Sequence, residues 1–380
     1  MITTSSEVVA RIVQRTIELV QTPAPTFAEQ ARAQLISGWW RELGVESLAS
    51  DEVGNVVGRI RSGGRAGNGP TVLVCAHLDT VFGADVTHAV ERRGDLLIGP
   101  SVGDDSVALA ALTELGSLLP EALPADVWIA ATVGEEGLGN LRGVTHLLDN
   151  PPAVVDAFIG LEGNYLGRIN TVGVGSARFR ILVEAPGGHS WEEAHHSSAV
   201  ESSAVLIAAL RSAMDDVIAL SDRKATMNIG TIVGGESVNS RAQMCEFTVD
   251  LRAESPETLE GMAKLVDRAV AELPSDLETH VTTLGLRPAG RVAADHPLVL
   301  SAIRASQSHG LESVQTAAST DANAAYQRGI SAVTLGVARG GDTHTEREWI
   351  DASSISLGMS ILVDTIVEYI NWEDAPWKPE

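Results

Sequence analysis

The segment TVLVCAHLD, residues 71–79, is an apolar run that leads directly into two polar side chains, His77 and Asp79. A short run of this kind without alternation is typical of a strand that is buried on both faces. Because His77 and Asp79 are two residues apart, their side chains point to the same side of an extended chain. The segment therefore predicts a buried strand with a polar site at its carboxyl end.

Three more apolar runs are followed by a carboxylate or a histidine. The runs are VWIAATV (127–133), AFIGL (157–161) and SAVTLGV (331–337), and the polar residues that follow them are Glu135 with Glu136, Glu162, and His344. An Ala/Leu-rich helix is expected at about 107–119. Strands that alternate with helices predict an α/β fold with a mixed, mostly parallel sheet and helices on both faces. Ligands of such sheets bind at the carboxyl ends of the strands, where these residues are expected.

The pattern changes between residues 174 and 286. Residues 178–184 alternate between apolar and polar side chains, and a helix, two strands, a second helix and a further strand are expected after them. This order is the split βαβ arrangement of a small antiparallel sheet. We therefore expect an inserted α+β (ferredoxin-like) domain at 174–286, within a discontinuous α/β domain made of residues 1–173 and 287–380.

The composition argues against two classes of partner. The chain has 50 acidic and 27 basic residues, a formal net charge of −23, which repels phosphate backbones, so no nucleic acid is expected. It has no run of eighteen apolar residues, so no membrane partner is expected. The first twenty residues predict an amphipathic helix and not a signal peptide. Cys75 and Cys245 are expected to be buried free thiols, and the predicted location is cytoplasmic.

Asp104 and Asp105 precede the helix expected at 107–119. An aspartate in that place is commonly an N-cap. Combined with the histidines and carboxylates at the strand ends, it would complete a ligand set that suits zinc and similar divalent ions. A carboxylate has two oxygens and can span two ions, whereas an imidazole cannot. The residues thus leave two interpretations of this aspartate pair open, a helix cap and a metal ligand.

The motifs, taken in order, resemble those of the M20 metallopeptidase family over nearly the whole chain. They are AHLDTV (76–81), GDDSVALAAL (103–112), GEEGLGN (134–140), PGGHSW (186–191), and GGDTHTEREWID (340–351). The family includes dipeptidases, tripeptidases, carboxypeptidases, aminoacylases and amino-acid deacylases. The resemblance implies a hydrolase that cleaves an amide or peptide bond of a small carboxylate-bearing substrate, either a di- or tripeptide or an N-acyl amino acid. It also implies two divalent metal ions, with zinc expected and cobalt or manganese as alternatives.

The resemblance also implies a role for each matching residue. Asp104 would bridge the two ions, one ion would be completed by His77 and Glu162, and the other by Glu136 and His344. Glu135 would be the general base, and Asp79 would support His77 from behind. The family motif usually continues Asp-x-Lys-Gly, but here it is Asp104-Asp105-Ser106-Val107. The choice of Asp104 over Asp105 therefore rests on alignment alone.

The inserted domain carries three further residues with family counterparts. His189 resembles the histidine that polarises the scissile carbonyl, acting within its own chain or on a dimer partner. Asn239 and Arg252 resemble the pair that recognises the substrate carboxylate, although Arg252 could instead form a structural salt bridge. By the same resemblance the inserted domain is expected to act as a lid and to form a homodimer. Two alternative functions remain open, a non-catalytic metal-binding module and hydrolysis of an ester or carbamate.

Overall fold

The structure, a computed structural model, describes residues 4–63 and 69–372. It divides into two compact units, the first comprising the chain up to Gly173 and from Arg291 onward, and the second comprising Val174–Gly290. The second unit ends beyond the limit of 286 that the sequence pattern suggested. Its last long strand continues through Arg287, and the connecting residues stay with it.

The first unit contains seven of the helices in the described ranges and two sheets. Numbered along the chain, its helices are α1 (Ser6–Val20), α2 (Gln30–Glu42), α3 (Ala108–Leu118), α4 (Arg142–Asp149), α7 (Pro297–Ser308), α8 (Ala322–Gln327) and α9 (Ile355–Ile370). The strands of its large sheet are β1 (Glu46–Ser50), β2 (Val56–Arg61), β3 (Thr71–His77), β6 (Asp126–Thr132), β7 (Ala157–Leu161), β8 (Arg168–Gly173), β15 (Gly290–Arg291), β16 (Val314–Ala318) and β17 (Ser331–Leu335). A smaller antiparallel sheet contains β4 (Glu91–Arg93), β5 (Leu96–Ile98), β18 (Arg339–Gly341) and β19 (Trp349–Asp351).

The centre of the large sheet is parallel, as the sequence predicted. Its strands are ordered β1-β2-β6-β3-β7-β17-β8-β15, with β16 paired to β8. The four central strands β6, β3, β7 and β17 run in one direction, and β2 and β8 run antiparallel to them on either side. The carboxyl ends of the four central strands therefore meet at one edge, which is where α/β sheets bind ligands.

Helices cover both faces of this sheet. All seven residues of β3 are buried, and its side chains divide between two hydrophobic clusters. Val72 and Val74 pack in the cluster that includes residues of α1, α3 and α9. Leu73 and Cys75 pack in the cluster that includes residues of α4 and α8. Burial on both faces explains why the strand reads as a continuous apolar run.

The second unit is an α+β fold. It contains the long strands β9 (Gly175–Glu184), β11 (Ala225–Gly234), β13 (Met244–Ala253) and β14 (Glu278–Arg287), the short strands β10 (Gly188–His189) and β12 (Ser240–Arg241), and helices α5 (Ala199–Leu220) and α6 (Pro256–Ala271). The long strands form an antiparallel sheet in the order β11-β13-β9-β14. Side chains of α5 and α6 share one hydrophobic cluster with this sheet.

One helical segment in the described ranges, Ala352–Ile370, is long and apolar enough to cross a membrane by length and composition. Its mean hydropathy is 1.3 and 67% of it is buried inside the fold. It contains α9, whose buried side chains belong to the main cluster of the first unit. Burial of this extent is that of a core helix.

Candidate metal centre

The carboxyl ends of three neighbouring parallel strands carry predicted metal-site residues. His77 is the last residue of β3, Glu162 directly follows β7, and Glu135 and Glu136 lie just beyond the end of β6. Because β6, β3 and β7 are adjacent in the sheet, these ends lie side by side. One nitrogen of His77 and one oxygen from each of Glu135 and Glu136 lie within 4.8 Å of one another.

Asp104 lies between two histidines. Its Oδ1 is 2.9 Å from Nε2 of His77, and its Oδ2 is 3.1 Å from Nε2 of His344. Glu136 joins the second group, with Oε1 3.2 Å from Nε2 of His344. A carboxylate with one oxygen beside each of two histidines has the geometry that a bridge between two ions requires.

The predicted N-cap role of the aspartate pair is not what the structure has. Asp104 and Asp105 lie in an irregular turn, Val102–Val107, where both have non-helical backbone angles. Helix α3 begins at Ala108, and its N-cap residue Val107 makes no side-chain capping bond. Neither aspartate caps the helix. Their side chains instead contact residues at the ends of strands, Asp104 the ring of His77 and Asp105 the N–H groups of His77 and Gly163.

Asp105 uses its carboxylate differently from Asp104. Oδ2 accepts the backbone N–H of His77 at 3.1 Å, and Oδ1 accepts that of Gly163 at 2.9 Å. Asp105 thereby joins the ends of β3 and β7. One of its oxygens also lies within 4.8 Å of a ring nitrogen of His77 and a carboxylate oxygen of Glu162, a group that could hold a metal ion, while its hydrogen bonds go to the main chain.

Asp79 holds the turn that carries the two glutamates. Its Oδ1 accepts the N–H of Glu135 at 2.9 Å, and its Oδ2 accepts the N–H of Glu136 at 3.0 Å. Thr26 donates its hydroxyl to the same Oδ2 at 2.9 Å. Nδ1 of His77 lies 3.0 Å from the backbone oxygen of Asp79 and 3.6 Å from Oδ1. The support that Asp79 gives to His77 is thus mainly through its main chain.

His344 occupies the turn between β18 and β19 and has a strained backbone. Its φ is +64°, a left-handed conformation that is uncommon for a residue with a side chain. Strain of this kind costs roughly 1–3 kcal/mol and is found preferentially at functional sites. The imidazole is about half exposed, with 54% of its side chain accessible. It is the one ring of the pair that solvent or a substrate can reach directly.

The site concentrates buried negative charge. Seven carboxylates here are less than 10% exposed: Asp79, Asp104, Asp105, Glu135, Glu136, Glu162 and Glu348. Burial, together with the charge of Asp104, raises the pKa of Glu162 well above its usual value and that of Glu348 to about 9. Burial also raises the pKa of Asp105. A raised pKa means that burial and neighbouring negative charge disfavour the ionised form of these carboxylates.

Asp104 and His344 each stabilise the charge of the other. Despite its burial, the hydrogen bond from His344 and the nearby charge of His77 lower the pKa of Asp104. Hydrogen bonds to Asp104 and Glu136 raise the pKa of His344 to about 10.

The donor set fits divalent metal ions. Oδ1 of Asp104 is buried and makes no hydrogen bond among the described residues, although Nε2 of His77 is only 2.9 Å away. The two atoms are close without the alignment of a hydrogen bond, as ligands around a common ion are. Imidazole and carboxylate ligands suit zinc and related ions, and the excess of carboxylates matches their charge.

Comparison with known proteins identifies the family. The profile of Peptidase family M20/M25/M40 matches residues 73–368. The chain belongs to family M20. It is a hydrolase by that membership, since the family consists of peptidases and related deacetylases.

Individual relatives of this M20 chain are distant. It is 36% identical to a Pyrococcus abyssi protein named as a LysW-lysine/LysW-ornithine hydrolase, over 120 residues that make up 32% of each chain. It is 25% identical to acetylornithine deacetylase of Aliivibrio fischeri over 284 residues, 70% of this chain and 73% of the relative.

Solved structures show the same fold. Aminopeptidase PepT from Bacillus cereus matches with a TM-score of 0.77 and 22% identity over 96% of this chain and 99% of its own. Bacillus subtilis YxeP, described as a dinuclear metal-binding peptidase of the M20 family, matches with a TM-score of 0.70 and 17% identity over 97% and 99%.

Two residues of this M20 site were missed by the sequence analysis, Asn164 and Glu348. Oε1 of Glu348 accepts the N–H of Asp104 at 2.8 Å and a side-chain N–H of Asn164 at 3.1 Å. Glu348 is completely buried, and its Oε2 has no hydrogen-bond partner in the described part of the chain. Asn164 is two positions after the predicted ligand Glu162, and Glu348 is four positions after the predicted ligand His344. That proximity was the available signal, but only the fold shows that the side chains turn toward Asp104.

In the second unit of the M20 chain, His189 and Asn239 are neighbours. They lie on or beside the paired strands β10 and β12, where Ser190 donates its N–H to the backbone oxygen of Asn239 at 3.0 Å. Nδ1 of His189 accepts the N–H of Trp191 at 3.2 Å. Both His189 and Asn239 are exposed.

Arg252 is not part of that group. It lies near the end of β13, eight residues after Met244, the first residue of that strand. At 3.4 Å per residue, the two residues are roughly 27 Å apart along the strand. Its Nε donates to Oδ2 of Asp250 at 2.9 Å, and Asp250 also accepts from Nε of Arg178 at 3.2 Å. The salt-bridge alternative raised from the sequence is therefore present, while 42% of the Arg252 side chain stays accessible.

Proposed function

We propose that this M20 hydrolase uses two metal ions, zinc in the native enzyme, to cleave an amide or peptide bond near a free carboxylate. The substrate class is di- and tripeptides or N-acyl amino acids. The observation that carries the proposal is the Asp104 carboxylate, which has one oxygen beside His77 and the other beside His344. His77 with Glu162 would hold one ion, and Glu136 with His344 the other.

The residues divide the chemistry among them. The ions, when bound, act as Lewis acids that polarise the carbonyl and lower the pKa of water. Glu135 takes the proton of the attacking water and delivers it to the leaving amine. Asp79 keeps this base in place, because it binds the N–H groups of Glu135 and Glu136 with separate oxygens. Glu135 is 5% exposed, so few solvent molecules compete for its carboxylate.

His189 has the tautomer needed to stabilise an oxyanion. A nitrogen that accepts a backbone N–H carries no proton, and Nδ1 of His189 accepts one from Trp191. In the neutral ring the proton is then on Nε2, which can donate it to the carbonyl oxygen of a substrate. Arg252 is proposed to recognise the substrate carboxylate, and Asn239, which lies apart from Arg252 beside β12, is proposed as a further substrate-binding residue. The bond of Arg252 to Asp250 uses Nε, and its two terminal nitrogens suit a bidentate contact.

A homodimer through the second unit is part of the proposal. Strand β11 is at one edge of the four-stranded sheet and exposes Ile232 (53%) and Val233 (67%). The other edge strand, β14, carries Glu278 and His280, whose polar side chains discourage strand pairing. An apolar sheet edge is a pairing surface. Light scattering at micromolar concentration should give twice the chain mass.

The two cysteines, Cys75 and Cys245, are buried free thiols, and they support the proposal of a cytoplasmic location.

The proposal is tested by a hydrolysis panel of N-acetyl and N-acyl amino acids, dipeptides and tripeptides, with and without added zinc or cobalt. Activity on at least one class, lost with chelator and restored by metal, is expected. Glu135→Gln should retain metal and lower kcat by about 10²- to 10⁴-fold, the usual contribution of a general base. Glu52→Gln, at a glutamate whose side chain is 83% exposed, is the matched control and should match the wild type.

Other outcomes of the panel favour other functions. Activity confined to esters or carbamates would keep the site and change the bond. Metal binding without turnover on any substrate would favour a non-catalytic metal-binding module. Near-normal activity of the Glu135→Gln variant would contradict the proposed mechanism while leaving the metal centre intact.

A further inference from the structure

The main chain of Asp104 is held from behind by a carboxylate that is not a proposed metal ligand. Oε1 of Glu348 accepts the Asp104 N–H at 2.8 Å, over 244 positions of sequence. The approach is close, because a Cβ at Gly103 would lie 2.6 Å from Oε1 of Glu348. The same Cβ would lie 2.9 Å from Cβ of Asn164, so glycine at position 103 leaves the space in which Glu348 and Asn164 approach this turn.

Asn164 extends the contact to the segment that carries His344. Its side-chain amide nitrogen donates to Oε1 of Glu348 at 3.1 Å and to the hydroxyl of Thr343 at 2.8 Å. Thr343 and Glu348 flank His344 in one turn. The network therefore joins the turn of Asp104, the turn after Glu162 and the turn of His344, each of which carries a proposed ligand.

We infer that Glu348 is a positioning residue, which sets the affinity of the ion held by Asp104, Glu136 and His344. This inference rests on the proposed function. Oδ2 of Asp104 lies 3.1 Å from His344 only while the Asp104 main chain and the His344 turn keep their separation. Glu348 and Asn164 fix that separation through hydrogen bonds. Loss of partners that orient metal ligands commonly weakens metal binding by about 10- to 100-fold.

The test is a zinc titration of the full-length apoprotein against a chelating dye, with Glu348→Ala and Glu348→Gln. Glu348→Ala removes both hydrogen bonds and should weaken one of the two zinc equivalents by about 10- to 100-fold, leaving the other nearly unchanged. Glu348→Gln keeps an oxygen that can accept from Asp104 and Asn164, so it should restore affinity to within a few-fold of wild type.

Glu114→Ala is the matched control for deletion of a buried acid. Glu114 is 1% exposed and binds Nη2 of Arg11 at 2.7 Å, away from the metal centre. It should lower the melting temperature of the apoprotein without changing either zinc affinity. If Glu348→Ala does not fold, Asn164→Ala carries the test, because it removes the link to Thr343 and leaves the Asp104 contact in place.

Two results would overturn the inference. One is wild-type affinity for both zinc equivalents in Glu348→Ala, or in Asn164→Ala if that variant carries the test. The other is a loss in Glu348→Gln as large as that in Glu348→Ala, which would mean that the hydrogen bonds do not matter. A wild-type protein that binds fewer than two zinc ions would instead contradict the proposed function, so the two failures are distinguishable.

Discussion

Oδ1 of Asp104 and Nε2 of His77 are 2.9 Å apart, and the oxygen still makes no hydrogen bond in the described residues. The neighbouring Asp105 is the opposite case, because both of its oxygens accept backbone N–H groups. The two adjacent aspartates thus differ in whether a carboxylate oxygen is free of hydrogen bonds from the described residues. One is available to an ion and the other is bonded to the main chain.

This difference predicts separate effects of removing each charge. Asp104→Asn should lower zinc content from two equivalents and abolish most activity, because an amide offers one oxygen in place of two. Asp105→Ala should chiefly lower stability, since two buried N–H groups lose their acceptor at about 1–3 kcal/mol each. Metal analysis and thermal melting of the apoproteins measure the two effects. Full zinc content in Asp104→Asn, with loss of zinc in Asp105→Ala, would assign the bridge to Asp105.

Replacement of Arg252 is expected to change KM in a way that depends on the substrate. Arg252→Lys keeps the charge and loses the planar fork, so KM for substrates with a free carboxylate should rise by about 10- to 100-fold, the equivalent of a lost charge-assisted bond. Substrates with an amidated carboxyl group should be affected much less. Arg178→Lys, at the other arginine on Asp250, is the control. Equal effects of both variants on all substrates would indicate a purely structural ion pair.

Because of His296, the folded protein is expected to lose stability in mild acid. Its Nδ1 accepts the N–H of Leu298 at 3.2 Å at the start of α7, and its partial burial lowers the pKa of the ring below 6.5. The unfolded chain then binds a proton at a higher pH than the folded chain. The stabilisation is complete above about pH 6.5 and is lost as the pH falls through the lower folded value.

The His296→Asn variant isolates this contribution. Asparagine is a good N-cap and does not titrate, so the variant should lose less stability than wild type between pH 7 and pH 5. Melting temperatures of the two proteins across that range provide the measurement. Parallel curves would show that His296 does not contribute to the acid sensitivity.

Much of the fold could be predicted from residue patterns. Continuous apolar runs such as 71–76 and 157–161 belong to strands buried on both faces, and they are central strands of the sheet. The helix expected at 107–119 is observed at Ala108–Leu118. The limit of the second unit was less accurate, since hydrophobic periodicity does not mark where packing changes from one unit to the other.

Without the family resemblance, the residue pattern predicts the site chiefly where it follows strands directly. His77, Glu135, Glu136 and Glu162 come immediately after apolar runs, and a parallel sheet necessarily brings such ends together. Glu348 and Asn164 have no such local signal. Their role depends on the hydrogen bond of Glu348 to Asp104, which spans 244 positions, and on that of Asn164 to Thr343, which spans 179.

By itself, the sequence determined which strands are buried and that their carboxyl ends carry histidine and carboxylates, because burial and side-chain alternation are local properties. Only the tertiary structure decided that Asp104 lies between two histidines while Asp105 accepts hydrogen bonds from the main chain. Both are buried acids beside the same histidine, and no local pattern separates them. The difference lies in where the N–H groups of His77 and Gly163 point, and that is set by the packing of two strands and one turn.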